Sequence, residues 1–288
     1  MAITAPSPAA FRSKPAWTWL PAAVGLLLLF LPTYLDLASG YWSSERGAHG
    51  PILLCMWLWL VWRERGAWRD APADPGPAAA GWAALSLGVV LYALGRSQQM
   101  IQLEAGSQLL ILPGICRILL GAQATRRLWF VWLFLGFSVP MPGSLVDSLL
   151  LPMKEWISAA VTQLLYLAGL PIARDGVVIY VGPYQMFIAD ACSGLNQLVA
   201  LTAVGTLYVY VAGRRSQWQA LLLLAAILPV ASIANFLRVT TLVLATYLGG
   251  DALGQQLHGV VGYAEIVLAF GAFFLLDHLV RRGRRHRA

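Results

Sequence analysis

The run Asp190-Ala191-Cys192-Ser193-Gly194-Leu195-Asn196 places a cysteine among small and polar residues, where an apolar block begins. A thiolate is the reactive form of cysteine, and a thiol ionises more readily at a helix N-terminus or beside a cation. The orphan backbone N–H groups of a helix start favour negative charge there. Those of Ser193 and Gly194 can also face the oxyanion that develops on an attacked carbonyl, and Gly194 lets a substrate backbone come close. Asn196 follows four residues later, on the helix face that Cys192 would occupy. The other two cysteines, Cys55 and Cys116, lie inside apolar segments, where a free cysteine behaves as a small hydrophobe. An odd cysteine count without paired spacing argues against a disulfide framework and against zinc, and neither metal nor cofactor is expected.

Two further segments supply partners for a thiol. His258 is able to take a proton from it and return one to a leaving amine. Arg238 offers a permanent cation with forked donors, suited to a carboxylate or an oxyanion, and Asn235 precedes it on the same helix face. A nucleophile, a base and an electrophilic stabiliser together define acyl transfer from an amide. His49, beside Gly50 and Pro51, is a second histidine near a helix start. Glu265 is an ionisable residue inside an apolar helix, which by default raises a functional question. Taken singly, each has a structural reading: a small buried thiol, an interfacial arginine anchor, a capping or loop histidine, a carboxylate hydrogen-bonded within a bundle.

The elements that must position these residues follow from composition. Hydrophobic residues make up 59% of the 288 and charged residues 11%, against about a quarter charged in soluble domains. The apolar residues form long blocks, and a bilayer core needs roughly 20 apolar residues per helix. The sequence predicts an all-α integral membrane bundle of about eight transmembrane helices. They start near residues 17, 51, 78, 108, 128, 195, 218 and 259, the first being retained rather than cleaved as a signal. The net charge of +7 does not imply nucleic acid, because the basic residues sit in short clusters between apolar blocks, as topology anchors do. With the N-terminus inside, only Arg46, Arg96, Lys154, Arg174 and Arg238 fall on the outer side. That bias requires 145–170, which carries Asp147, Lys154 and Glu155, to be an outer-face helix rather than a ninth span. After it, 176–181 and 184–188 flank Gly182-Pro183 and predict a short β-hairpin leading to Cys192. On this assignment Cys192, Arg238 and His258 share the outer membrane level. The expected organisation is a cytoplasmic segment 1–16, a transmembrane domain 17–280 with an outer loop region 141–191, and a basic cytoplasmic tail 281–288.

Ala191-Cys192-Ser193-Gly194-Leu195, Asn235-Phe236-Leu237-Arg238-Val239 and Leu257-His258-Gly259, in this order, resemble the motifs of the exosortase/archaeosortase family. The early His49-Gly50-Pro51 resembles that family's His-Gly segment, and the Asp-Ala-Cys-Ser-Gly-Leu-Asn run suggests a type B subtype. Family members more often have Glu where this chain has Asp190. The resemblance implies a membrane cysteine protease/transpeptidase with Cys192 as nucleophile, His258 as general base and acid, and Arg238 as oxyanion or substrate stabiliser. It implies substrates that are exported proteins with a C-terminal Pro-Glu-Pro motif, a hydrophobic helix and a basic tail. These would be cleaved at the periplasmic face of the inner membrane of a bacterium that makes exopolysaccharide. Asn235, Ser193, Gly194, Asn196, His49 and Glu265 would support the site. The bilayer is the expected environment and nucleic acid is not an expected partner; water, an amine or a lipid would be the acyl acceptor. Two rival classes are a transporter and an exopolysaccharide-export or polymerase component. A transporter favours polar residues near the midplane, not at one face, and a polymerase has no need of Cys192.

Overall fold

The computed structural model describes residues 20–44, 47–66, 78–187, 194–213 and 217–285, and it divides into two compact units, Met1–Pro140 and Met141–Ala288. The described residues of the first unit form helices and turns without a strand. Helix α1 (Leu20–Ser39) leads through a 3-10 turn, Tyr41–Ser43, to α2 (Gly50–Arg63), which follows His49 and has proline in its first turn, where a missing N–H is harmless. Then come α3 (Ala79–Ser97), α4 (Ile101–Gly106), α5 (Gln108–Leu120), α6 (Ala122–Arg127) and α7 (Trp129–Leu135).

Glycine sets the packing of α3. Gly81, Gly88 and Gly95 stand two turns apart on one face and are all buried. A Cβ at Gly88 would meet Ile111 Cγ1 at 2.6 Å, and one at Gly95 would meet Glu104 N at 2.5 Å. On α5, Gly114 faces Gly81 in return, its Cβ position 3.0 Å from the Gly81 carbonyl oxygen. Small residues that let helix backbones approach are the usual basis of packing where lipid removes the hydrophobic drive. At one end of these helices Glu104, 2% exposed, accepts from Thr33 Oγ1 at 2.6 Å and from Arg96 at 3.1 Å. Arg96 also pairs with Asp36. A buried carboxylate held by a hydroxyl and a guanidinium is satisfied rather than stranded.

The second unit begins with α8 (Gly143–Leu167). A three-stranded antiparallel meander follows, β1 (Ile172–Asp175), β2 (Val178–Val181) and β3 (Tyr184–Phe187), in the order β1-β2-β3. Val181 pairs with Ile172 on one side and with Tyr184 on the other. Helix α9 (Gly194–Ala212) and α10 (Gln217–Arg285) complete the unit. Along α10, Gly250 has φ 77° and ψ 178°, a conformation essentially confined to glycine. A straight helix would hold Arg238 and Glu265 about 40 Å apart, yet they are in contact at 2.9 Å. The chain therefore reverses at Gly250, and α10 is a hairpin of two helical limbs, 217–249 and 251–285. Near the reversal a Cβ at Gly254 would stand 2.3 Å from Thr246 Oγ1, so glycine is what lets the limbs meet there. Farther along, Ala231 and Ala234 of the first limb and Ala269 and Phe273 of the second share a buried cluster with Leu201 of α9. A second cluster joins Ile157, Val161 and Leu165 of α8, Ile179 and Val181 of the sheet, and Val239 and Val243 of the first limb.

The chain is an all-α membrane protein with one small sheet. Among the described residues four helical stretches are long and apolar enough to cross a bilayer: Leu20–Ser43, Ala79–Ser97, Ile101–Leu120 and Gln217–Arg282. Leu27, Leu28 and Val267 on these stretches are 62%, 68% and 72% exposed, as side chains facing lipid are. The expectation of eight spans is corrected on helix length. Among the described residues Gly50–Arg63, Trp129–Ser138 and Leu198–Ala212 are apolar but shorter, whereas the two expected last spans correspond to the two limbs of Gln217–Arg285 joined at Gly250. Apolar blocks in the sequence continue through turns such as Gly121, at φ 91°, so block length overstates helix length. The predicted hairpin is present with its turn at Gly182-Pro183, extended by β1, whose Arg174 and Asp175 hid it from a reading based on apolar alternation. Residues 1–16, the segment 188–193 that carries Cys192, and the end of the tail lie outside the described residues.

Candidate active site

Arg238 lies as many residues before Gly250 as Gly262 lies after it, so the reversal sets the two at one level. Gly262 is where the guanidinium passes: a Cβ there would lie 3.6 Å from Arg238 Cζ. His258 and Glu265 flank Gly262 on the second limb, one toward the reversal and one away from it. Both reach the same guanidinium. Its Nη1 donates to Glu265 Oε2 at 2.9 Å, and its Nη2 meets His258 Nε2 at 3.1 Å. Arg238 is 5% exposed and Glu265 4%. An isolated charge at that depth would be very costly, whereas an ion pair with shared hydrogen bonds offsets the loss of water.

The Arg–His contact constrains the histidine tautomer. Guanidinium has no acceptor, so as a hydrogen bond this contact makes His258 Nε2 the acceptor and places the ring proton on Nδ1. Asn235, 1% exposed, lies one turn before Arg238 on the first limb and lines the same side.

The structure thus brings together Arg238, His258 and Glu265, with Asn235 adjacent. Cys192 and Ser193 lie outside the described residues. Gly194 and Asn196 fall in the first turns of α9. His49 belongs to the first unit, where it precedes α2 and is half-buried. Its Nδ1 is buried with no hydrogen-bond partner among the described residues, and burial pushes its pKa down. Cys55 is exposed and Cys116 buried, both as free thiols. Asp277 accepts from Tyr208 Oη at 2.6 Å and pairs with Arg281 at 2.9 Å. It ties α9 to the arginine-rich end of the hairpin, a link between distant residues that no local pattern announced. Among the described residues no cluster of His, Cys, Asp or Glu is arranged to hold a metal ion.

These features define a class: an integral membrane protein of packed helices that carries a buried arginine shared between a histidine and a carboxylate. Residues 41–275 match the family described as Transmembrane exosortase (Exosortase_EpsH). The chain belongs to that family, a group of membrane sorting-related enzymes that are generally cysteine-type transpeptidases. No curated protein and no solved structure matches it.

Proposed function

We propose that this chain is a cysteine protease/transpeptidase of the bacterial inner membrane that cleaves C-terminal Pro-Glu-Pro-type sorting signals of exported proteins at the periplasmic face. Both termini would be cytoplasmic. The observation that supports this reading most is the Arg238–His258 pair at one level of the α10 hairpin, since these are two of the three residues that family resemblance assigns to the reaction. In the proposed chemistry the Cys192 thiolate attacks the carbonyl carbon of the scissile amide. Arg238 and the N–H groups at the start of α9 take the negative charge on the carbonyl oxygen. The C–N bond breaks, and the leaving amine takes the proton that His258 received from the thiol. Water, an amine or a lipid then attacks the thioester and restores the thiol.

The test is co-expression with a substrate bearing such a signal, comparing the wild type with Cys192→Ala by gel shift and mass spectrometry. The reading expects processing by the wild type alone, and the product's new C-terminus separates hydrolysis from transfer. Equal processing by both removes Cys192 as nucleophile and returns the transporter and exopolysaccharide-component readings.

A further inference from the structure

We infer that Glu265 is the positioning residue of this site: its carboxylate holds one arm of the Arg238 guanidinium so that the other arm caps His258 Nε2 and sets the histidine's tautomer. The inference rests on the assignment of Arg238 and His258 to the reaction. Three observations carry it. The carboxylate is buried and bonded to the arginine at 2.9 Å, so it is an anchor in a dry site rather than a solvated neighbour. It sits on the limb that also carries His258, with Gly262 between them leaving the guanidinium room to span both. The two bonds of Arg238 use different nitrogens of one planar guanidinium, so the group can pivot about its Glu265 bond and lift Nη2 from the ring.

That division of labour has a mechanistic consequence. While Nη2 caps Nε2 the histidine has no lone pair free for a proton, because Nδ1 already carries one. For Nε2 to receive the thiol proton, leaving a thiolate and an imidazolium, the guanidinium arm must leave the ring. The Glu265 bond keeps the arginine in the site as that arm turns toward the carbonyl oxygen of the substrate. Glu265 touches no reacting atom on this view; it acts through Arg238.

The experiment uses the full chain purified in lipid nanodiscs and has two readouts. The first is the rate at which diethyl pyrocarbonate modifies His258, measured by peptide mass spectrometry against the tail residue His286. Glu265→Gln and Arg238→Met should each raise that rate fivefold or more by uncapping Nε2, and Glu265→Asp should give a smaller rise. The second is steady-state processing of the substrate, where Glu265→Gln should lower kcat tenfold or more with KM within threefold, and Glu265→Asp should recover part of the loss. If Glu265→Gln fails to accumulate, Glu265→Asp keeps the charge compensated and carries the test alone. Unchanged His258 modification together with unchanged kcat in the variant measured overturns the inference. A loss of protein stability with unchanged His258 modification also overturns it, leaving Glu265 as a packing residue. If Cys192→Ala processes like the wild type, the functional reading fails, and the labelling readout still decides the role of Glu265.

Discussion

Gly250→Ala should destabilise the protein by about 1–3 kcal/mol. The backbone there, φ 77° with ψ 178°, lies in a region that an L side chain enters only under strain. A Cβ would in addition stand 3.2 Å from Tyr184 Oη, close enough that the tyrosine must shift. A loss of about 1.4 kcal/mol is tenfold in an equilibrium constant, so the effect falls well within measurement. The assay is unfolding in bicelles by titration with sodium dodecyl sulfate. The matched control is Gly271→Ala, on the second limb, where a Cβ meets nothing within 4 Å. Replacing a helical glycine in open space should stabilise by about 0.5–1 kcal/mol. The two alanine variants should therefore move in opposite directions, and the Gly250 variant should weaken processing because the reversal sets the level of Arg238 against His258. A Gly250→Ala protein as stable as the wild type would refute the reasoning, since it would mean that the limbs meet without this turn.

Gly88→Val should cost roughly 1–3 kcal/mol through overpacking against Ile111, read in the same titration. A variant of full stability would show that α3 and α5 do not pack through that face. His49 predicts a pH dependence. Its pKa is lowered from 6.5 by burial, so the folded state resists a proton that the unfolded state accepts. The stability held above pH 6.5 is then lost as pH falls through 6.5 toward the folded value. His49→Gln should flatten that acid slope of the unfolding midpoint, and an unchanged slope would assign it to other groups.

Much of the site was legible because its residues carry their own signals. Arg238 and Glu265 are charges inside apolar blocks, which only a partner makes tolerable, and His258 stands beside the start of the last apolar block. Their partnership was less legible. It depends on Gly250 reversing a stretch that reads as helix on both sides, and the Gly249-Gly250-Asp251 break signals an interruption without its angle. The sequence set Arg238 and His258 at one level but not inside continuous helix, and both lie well inside the limbs. Helix lengths were the weakest part of the reading, because hydropathy continues through the turns that separate α5, α6 and α7. The tie from Thr33 to Glu104 joins residues distant in sequence and was invisible for that reason. The three glycines of α3 were open to inspection but mean little until the helix they face is known.

The hairpin is longer than the barrier it crosses. Each limb rises about 50 Å, whereas the hydrocarbon core is about 30 Å thick. With the Trp218 and Arg281 ends set at one boundary, about 20 Å of each limb stands beyond the other. Arg238 lies about 18 Å from the reversal, which on that placement falls at the edge of the hydrocarbon core. The projecting part carries Val239 and Val243, the residues that seat α8 and the sheet, so the hairpin serves as both mast and platform. Under the proposed function, a site at that height would meet a substrate where its apolar anchor ends and its hydrated chain begins, and a cut there would free the exported part with almost no greasy remnant.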